Sequence, residues 1–404
     1  MNDRTSLNTR YAMLRYSLLQ AFYWMESCTC TGFVAVFLEG VGADAAAIGS
    51  VMGVGNILAF IAQPYLTSKA DRSRKISITG ILLVMFACLI GAECLTMVPG
   101  VPVILVLIAY IAIVTLMQAS MPILSGLSVY YTDRGANINF GISRGLGSFT
   151  FAVLSTVLGI WVQKSSYRVI GIASIVMGLI VVFLLILMPS PRAVKPVTGT
   201  EKKTDAEDKS GSYPDFLRKN PWFTVFIVGM SLALIQYMTF SNFFIQVVEN
   251  VGGGSSEMGI ALALAALVEV PMMFLFNLIL KKFTIRTIMN TAILGFLLRS
   301  AIMALAVNIG QIYFASCIQF LGYALYIPVT VAFADAYFPE GDKNKALGLL
   351  AATQLFGSVV GSLAGGFLIR DFGIRRTMIA FLVLAVAGSL LALWSFGKIK
   401  NRRE

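Results

Sequence analysis

Twelve apolar blocks of about 20 to 27 residues follow one another along this chain, and at ~1.5 Å per residue each helix is long enough to cross a ~30 Å hydrocarbon layer. Backbone amides in hydrocarbon find no water to bond, so blocks of this kind must be helices bonded within themselves. They fall at residues 13–38, 43–67, 76–97, 102–130, 139–163 and 168–188, then at 222–248, 255–280, 286–306, 311–337, 345–369 and 375–396. The composition agrees: 57% of residues are hydrophobic and 13% charged, about half the charge of a soluble domain. The first block carries Tyr16, Gln20 and Glu26 and is too long for a cleavable signal, so it is expected to remain as the first span. The expected fold is an all-α membrane protein of twelve transmembrane helices.

One stretch interrupts the series. Residues 189–221 hold prolines and charges without apolar periodicity, and such a segment buries too little to offset its chain entropy. It predicts a cytoplasmic linker between an N-terminal six-helix bundle, residues 1–188, and a C-terminal one, residues 222–404. Orientation follows from the basic residues. With the N-terminus inside, the inner segments hold 25 of the 31 Lys and Arg, and the outer connections hold five. Both termini are therefore expected on the cytoplasmic side of the cell membrane. The net charge of +11 is read as topology and as attraction to anionic lipid, not as nucleic-acid binding.

The residue inventory narrows the chemistry. The chain has no histidine, which removes His-based acid–base work and the usual zinc sites. Its five cysteines lie in or at the ends of spans with no pairing pattern, as small buried apolar residues do. No glycine-rich stretch has the neighbours of a nucleotide loop. Neither an enzyme, a cofactor nor a metal is expected.

Marked positions recur between the halves in the same order. Pro64 answers Pro271, Met121-Pro122 answers Ile327-Pro328, Asp71-Arg72 answers Lys281-Lys282, and Leu146-Gly147-Ser148 answers Phe356-Gly357-Ser358. A duplicated six-helix unit around a midplane cavity is the expectation. Gly141, Gly145, Gly357, Gly361 and Gly365 have the small-xxx-small spacing of close helix contacts, which would suit the rocking of one half against the other.

The whole chain resembles the major facilitator superfamily, most specifically in Ala70-Asp71-Arg72-Ser73-Arg74-Lys75, which looks like its Asp-Arg-x-x-Arg-Lys/Arg signature. The resemblance implies two pseudosymmetric six-helix bundles and a cytoplasmic gate at Asp71, Arg72, Arg74 and Lys75. Asp335, near the inner end of the tenth span, is a candidate partner for a neighbouring loop in that gate. Phe140 to Gly147 resembles the fifth span of the lactose permease and of the related oligosaccharide and nucleoside proton symporters, where the arginine matching Arg144 contacts substrate. Arg299 matches an intramembrane arginine of the same branch. Tyr323 and Tyr326 stand where that branch has a histidine and a glutamate, so lactose itself is not the expected substrate.

Ionisable residues inside a membrane cost about 2.5 to 3.5 kcal/mol each on insertion scales and mark function. Glu26, Glu269 and Arg299 are the deepest. Glu269 and Arg299 lie equally far from the inner turn at Thr284, about 22 Å away on antiparallel helices, so they are placed to pair and to couple proton movement to a conformational switch. Glu26 shares a helix face with Tyr23 and Cys30. Glu93 is read as solvated at the outer end of its span. Thr239, Asn242 and Gln246 form one polar stripe, and Gln319, Tyr323, Tyr326 and Thr330 another. With Tyr23 and Arg144 these suit a small solute that offers hydroxyls and an apolar face.

The reading is a monomeric carrier in the lipid bilayer that moves a small organic solute, a sugar, oligosaccharide or nucleoside, together with protons by alternating access. The alternatives are a proton-driven exporter of amphipathic drugs and, in another class, a non-transporting receptor that keeps a carrier fold.

Overall fold

The structure is a computed structural model that describes residues 11–72, 77–133, 136–188 and 212–399. Contacts divide the chain into two compact units, Met1–Lys202 and Lys203–Glu404. Every regular element is helical among the described residues.

The first unit begins with α1, Ala12–Ser27, which continues as a π-helical turn at Cys28–Gly32 and then, after Phe33, as α2, Val34–Gly40. The two segments meet at 46°, so the first span is a bent one. Then come α3 (Ala45–Arg72), α4 (Ile78–Met97), α5 (Val103–Thr132), α6 (Phe140–Lys164) and α7 (Arg168–Leu187). Helix α1 packs on α6 and α7, α4 packs on α5 and α7, and α3 packs on α5.

The second unit opens with a short helix, α8 (Tyr213–Lys219), inside the stretch expected to be a linker. Its Phe216 is buried against Phe223 and Phe338, which is why this end of the stretch folds. There follow α9 (Pro221–Asn242), α10 (Phe244–Glu249), α11 (Ser255–Lys282), α12 (Ile285–Leu305), α13 (Ile309–Cys317), α14 (Tyr323–Tyr337), α15 (Glu340–Phe372) and α16 (Ile374–Phe396). A turn of 3-10 helix at Ile318–Phe320 separates α13 from α14. Helix α9 is the centre of this unit, packed on α15 and α16, while α12 packs on α14 and α16.

Among the described residues eleven helices are long and apolar enough to span a membrane, twelve with the bent first one. Their starts are set locally. Ser77, Asn139, Thr284 and Asn308 each accept a hydrogen bond from the amide three residues on, satisfying donors that a helix start leaves free. Gly373, with φ +82°, turns α15 into α16 where a side chain would be strained.

The small-residue faces pack within a unit. A Cβ on Gly357 would lie 2.9 Å from the Leu234 backbone, and one on Gly361 2.6 Å from the Thr239 hydroxyl oxygen, so both glycines let α15 lie tight on α9 of its own unit.

Candidate functional site

The second unit gathers its buried polar groups where α9, α11, α12 and the 3-10 turn meet. The Arg299 guanidinium, 6% exposed, donates from Nη1 to the hydroxyl of Tyr237 at 3.1 Å and to Oε1 of Gln319. The Tyr237 hydroxyl in turn donates to the same Gln319 oxygen at 3.1 Å. The other end of that amide, Nε2, donates to Oε1 of Glu269 at 2.7 Å. Glu269 and Arg299 are thus brought to one place at the predicted level, but they do not pair directly. Gln319 stands between them, and its two-ended amide serves cation and carboxylate at once.

The break in the tenth span puts Gln319 there, because the 3-10 turn tightens the chain just where its side chain must reach α11 and α12. Aromatic faces complete the arginine's surroundings, with its guanidinium carbon 5.3 Å from the Tyr237 ring centre and 5.0 Å from that of Phe240. Rings at this range attract a cation and partly replace its lost water.

The stripe residues separate. Tyr323 lies parallel to Tyr237, ring centres 5.9 Å apart, and its hydroxyl donates to Gln354 at 3.3 Å. Tyr326 is wholly buried, edge-on to Phe296 at 5.4 Å, so in this conformation it has no surface for a solute and serves packing. Asn242 donates to Ser362 at 2.6 Å. Gln246 sits on α10, past the break at Phe243, and so leaves the helix face predicted for it. Thr239 is buried and bonds to the Ile235 and Gly361 carbonyls.

In the first unit Arg144 lies over the Trp24 ring, 3.7 Å from its centre, and donates to Ser148 at 2.7 Å. Trp24 donates to Gln20 at 3.2 Å and Gln20 to the Tyr16 hydroxyl at 2.7 Å, a chain that fixes the indole under the cation. Gln20, Tyr23, Trp24, Met121 and Arg144 line a small cleft of about 30 Å³. Tyr23 is held by its hydroxyl on the Met117 carbonyl at 3.1 Å, so it presents ring rather than hydroxyl.

Glu26 is fully buried. Cys30, one turn on, donates to its Oε1 at 3.2 Å, as the shared helix face predicts. Glu93 lies beside them, 3% exposed, and this corrects the expectation of an interfacial, solvated side chain. Helix α4 packs between α5 and α7, which turns Glu93 inward onto Ser174 and Cys30.

At the surface, Lys343 bonds Asp335 at 2.5 Å and Glu340 at 2.7 Å. Arg74 and Lys75, and the side chains of Asp71 and Arg72, lie outside the described residues. Asn56 accepts from Gln118 at 3.3 Å and Gln63 donates to the Gln118 carbonyl at 3.0 Å, so this amide pair ties α3 to α5.

Tyr237, Phe240 and Ser174 were not singled out from sequence. Tyr237 had a signal: it lies on the same turn of α9 as Phe240 and on a helix adjacent to that of Arg299.

Two helical units, each with buried charge inside it, make up the major facilitator fold. The chain belongs to the MFS_1 like family, whose model matches residues 13–381. It is similar to the multi-drug resistance efflux pump PmrA of Streptococcus pneumoniae, 27% identical over 171 residues, a match that spans 41% of each chain. It is similar to the maltose permease of Geobacillus stearothermophilus, 23% identical over 351 residues, 86% of this chain and 85% of that one. The nucleoside transporter NupG has the same fold, with a TM-score of 0.76 over 96% of this chain and 100% of that one at 16% identity. This is a multi-pass membrane protein of a transporter family, not of an enzyme family.

Proposed function

We propose that this protein is a proton-coupled carrier that moves a sugar, oligosaccharide or nucleoside-like solute across the cell membrane, both termini cytoplasmic. The observation that carries the reading is the amide of Gln319 between Glu269 and Arg299. Ionised, Glu269 accepts a charge-assisted hydrogen bond from Gln319. Protonated, it loses that charge and the bond weakens by about 1 to 1.5 kcal/mol, the difference between a hydrogen bond to a charged group and one between neutral groups. Each 1.4 kcal/mol is tenfold in an equilibrium. One proton on Glu269 therefore shifts, roughly five- to tenfold, a balance between conformations of which only one keeps this bond, and so biases the switch between access states.

Solute recognition fits the neighbouring groups. Gln319, Asn242 and Tyr323 offer hydrogen bonds to hydroxyls, and the parallel rings of Tyr237 and Tyr323 offer an apolar face. Arg144 over Trp24, beside Tyr23, is assigned the same task in the first unit, and Gln246 and Tyr326 a supporting one in other conformations. Asp71, Arg72, Arg74 and Lys75 are assigned to the cytoplasmic gate, and Asp335, which bonds Lys343 within its own unit, is assigned to the same task.

The efflux pump PmrA supports a second reading, in which the same proton exchange drives solute outward. Proteoliposomes holding the protein test both. Under the first reading an inward proton gradient accumulates a labelled sugar or nucleoside, and adding that solute alkalinises the outside. Under the second, the solute is expelled and protons enter in exchange. If neither gradient moves any of these solutes, the proposed substrate class is wrong.

A further inference from the structure

Nothing in the coupling scheme above uses Glu93, and its surroundings set it apart. Ser174 Oγ lies 2.5 Å from Glu93 Oε1 and 3.3 Å from Glu26 Oε1, while Cys30 Sγ lies 3.2 Å from each of the same two oxygens and 3.2 Å from Ser174 Oγ. Thr29 closes the group, bonding Ser174 at 3.0 Å and the Glu26 carbonyl at 2.7 Å. Two carboxylates therefore converge on one hydroxyl and one thiol. Both acids are more than nine-tenths buried, and the second oxygen of each, Oε2, has no hydrogen-bond partner.

Among the described residues neither acid forms an ion pair. The other titratable groups nearby are Cys28 and Cys30 on the π-helical turn, Tyr23 on α1 and Tyr110 on α5. Helix α7 contributes the Ser174 hydroxyl and, one turn on, Gly178, where a Cβ would lie 3.5 Å from Glu26 Oε1. Arg144, the nearest cation of α6, lies over Trp24 instead. Two negative charges at roughly 4 Å repel by about 4 kcal/mol even at an effective dielectric of 20, and each bears several kcal/mol of lost hydration besides. With no cation to offset them among the described residues, the pair needs a proton.

The second unit supplies an internal control. Phe33 and Phe243 both interrupt a first span, and Gly147 and Gly357 both hold a fifth span close to it, so in that register Glu26 answers to Gln236. Gln236 is equally buried and donates to the Ser300 carbonyl at 3.0 Å and the Met378 carbonyl at 3.3 Å. The crossing is thus built with a neutral amide in one half. Acids in the other half are not needed for packing alone.

We infer that Glu26 and Glu93 form a proton-binding dyad, holding one proton between them in the first unit, and that this proton leaves when the bent first span opens the site to water. The π-helical turn lies directly beside Glu26, and such turns, with their loosened hydrogen-bond ladder, concentrate at functional positions. Proton release during transport rests on the carrier reading; the presence of the proton does not.

The test is therefore spectroscopic and needs no solute. Infrared spectra of the purified full-length protein at neutral pH should show the C=O stretch of a buried protonated carboxyl, moved by exchange into D2O. E26Q and E93Q should each move it to the frequency of a lone buried carboxyl, the double variant should abolish it, and E269Q and C30S should leave it unchanged. In proteoliposomes, E93Q should alter the pH dependence of solute exchange relative to wild type, leaving the part that Glu269 sets. A band untouched in both E26Q and E93Q overturns the dyad, as does stoichiometric zinc or another metal ion found with the purified protein and lost in E93Q. If either variant fails to fold, S174A, which keeps both acids, should preserve the band at a shifted frequency; its disappearance counts against the assignment. A retained band with pH-independent wild-type exchange would leave the proton in place and remove its role in transport.

Discussion

The two halves solve one packing problem with different chemistry. Where the first span crosses the third and sixth of its unit, the N-terminal half places Glu26 against Ser174 and, through Cys30, Glu93, and the C-terminal half places Gln236 against two backbone carbonyls. The second half carries its charge instead on Arg299 and Glu269, joined through Gln319 and braced by Tyr237. A duplicated scaffold thus keeps the position of its buried polar groups and lets their charge differ. One unit holds a site rich in acid, and the other holds a cation and an acid separated by an amide.

Exchanging residues across that comparison should have unequal effects. The largest is expected for Q236E, which points a carboxylate at the Ser300 and Met378 carbonyls with no donor to receive it. A buried uncompensated charge of this kind costs about 3 to 5 kcal/mol, or forces the group to take up a proton. The reciprocal E26Q replaces an acid by the amide already used at the equivalent crossing and should change stability by less than about 1 kcal/mol. Thermal unfolding of both variants in detergent measures the difference. Equal losses would mean that the halves are not built alike at this point.

Within the second half, R299M removes the cation on which Tyr237 and Gln319 converge and should cost about 1.5 to 3 kcal/mol. Y237F removes one hydroxyl and leaves the Arg299 to Gln319 bond, so it should cost less, about 1 kcal/mol. A larger loss for Y237F than for R299M would show that the tyrosine, not the arginine, organises the network.

Much of this was legible in the chain. Span length is a consequence of the bilayer, so the helices could be read directly, and the superfamily resemblance could be read from the loop Asp71 to Lys75 and the stretch Phe140 to Gly147. Glu269 and Arg299 could be placed at one level because two helices joined by a short turn have a fixed rise. The mediating role of Gln319 could not, since it depends on a 3-10 turn in a span that reads as continuous helix. Glu93 was misread for a related reason. Distance from the end of a span suggests depth in the bilayer, whereas burial depends on which neighbours cover the helix, and α5 and α7 cover this one. Gln246 shows the same limit, because the break at Phe243 carries it off the face that a straight helix would give it.

The central claim, that protonation of Glu269 reaches Arg299 through Gln319 and drives the conformational switch, is tested most directly by E269Q in proteoliposomes, with labelled solute on one side and unlabelled solute on the other. The neutral amide should permit solute exchange at near wild-type rate and lower proton-driven accumulation about five- to tenfold, in line with a charge-assisted bond becoming a neutral one. Accumulation by E269Q at the wild-type level would contradict the account.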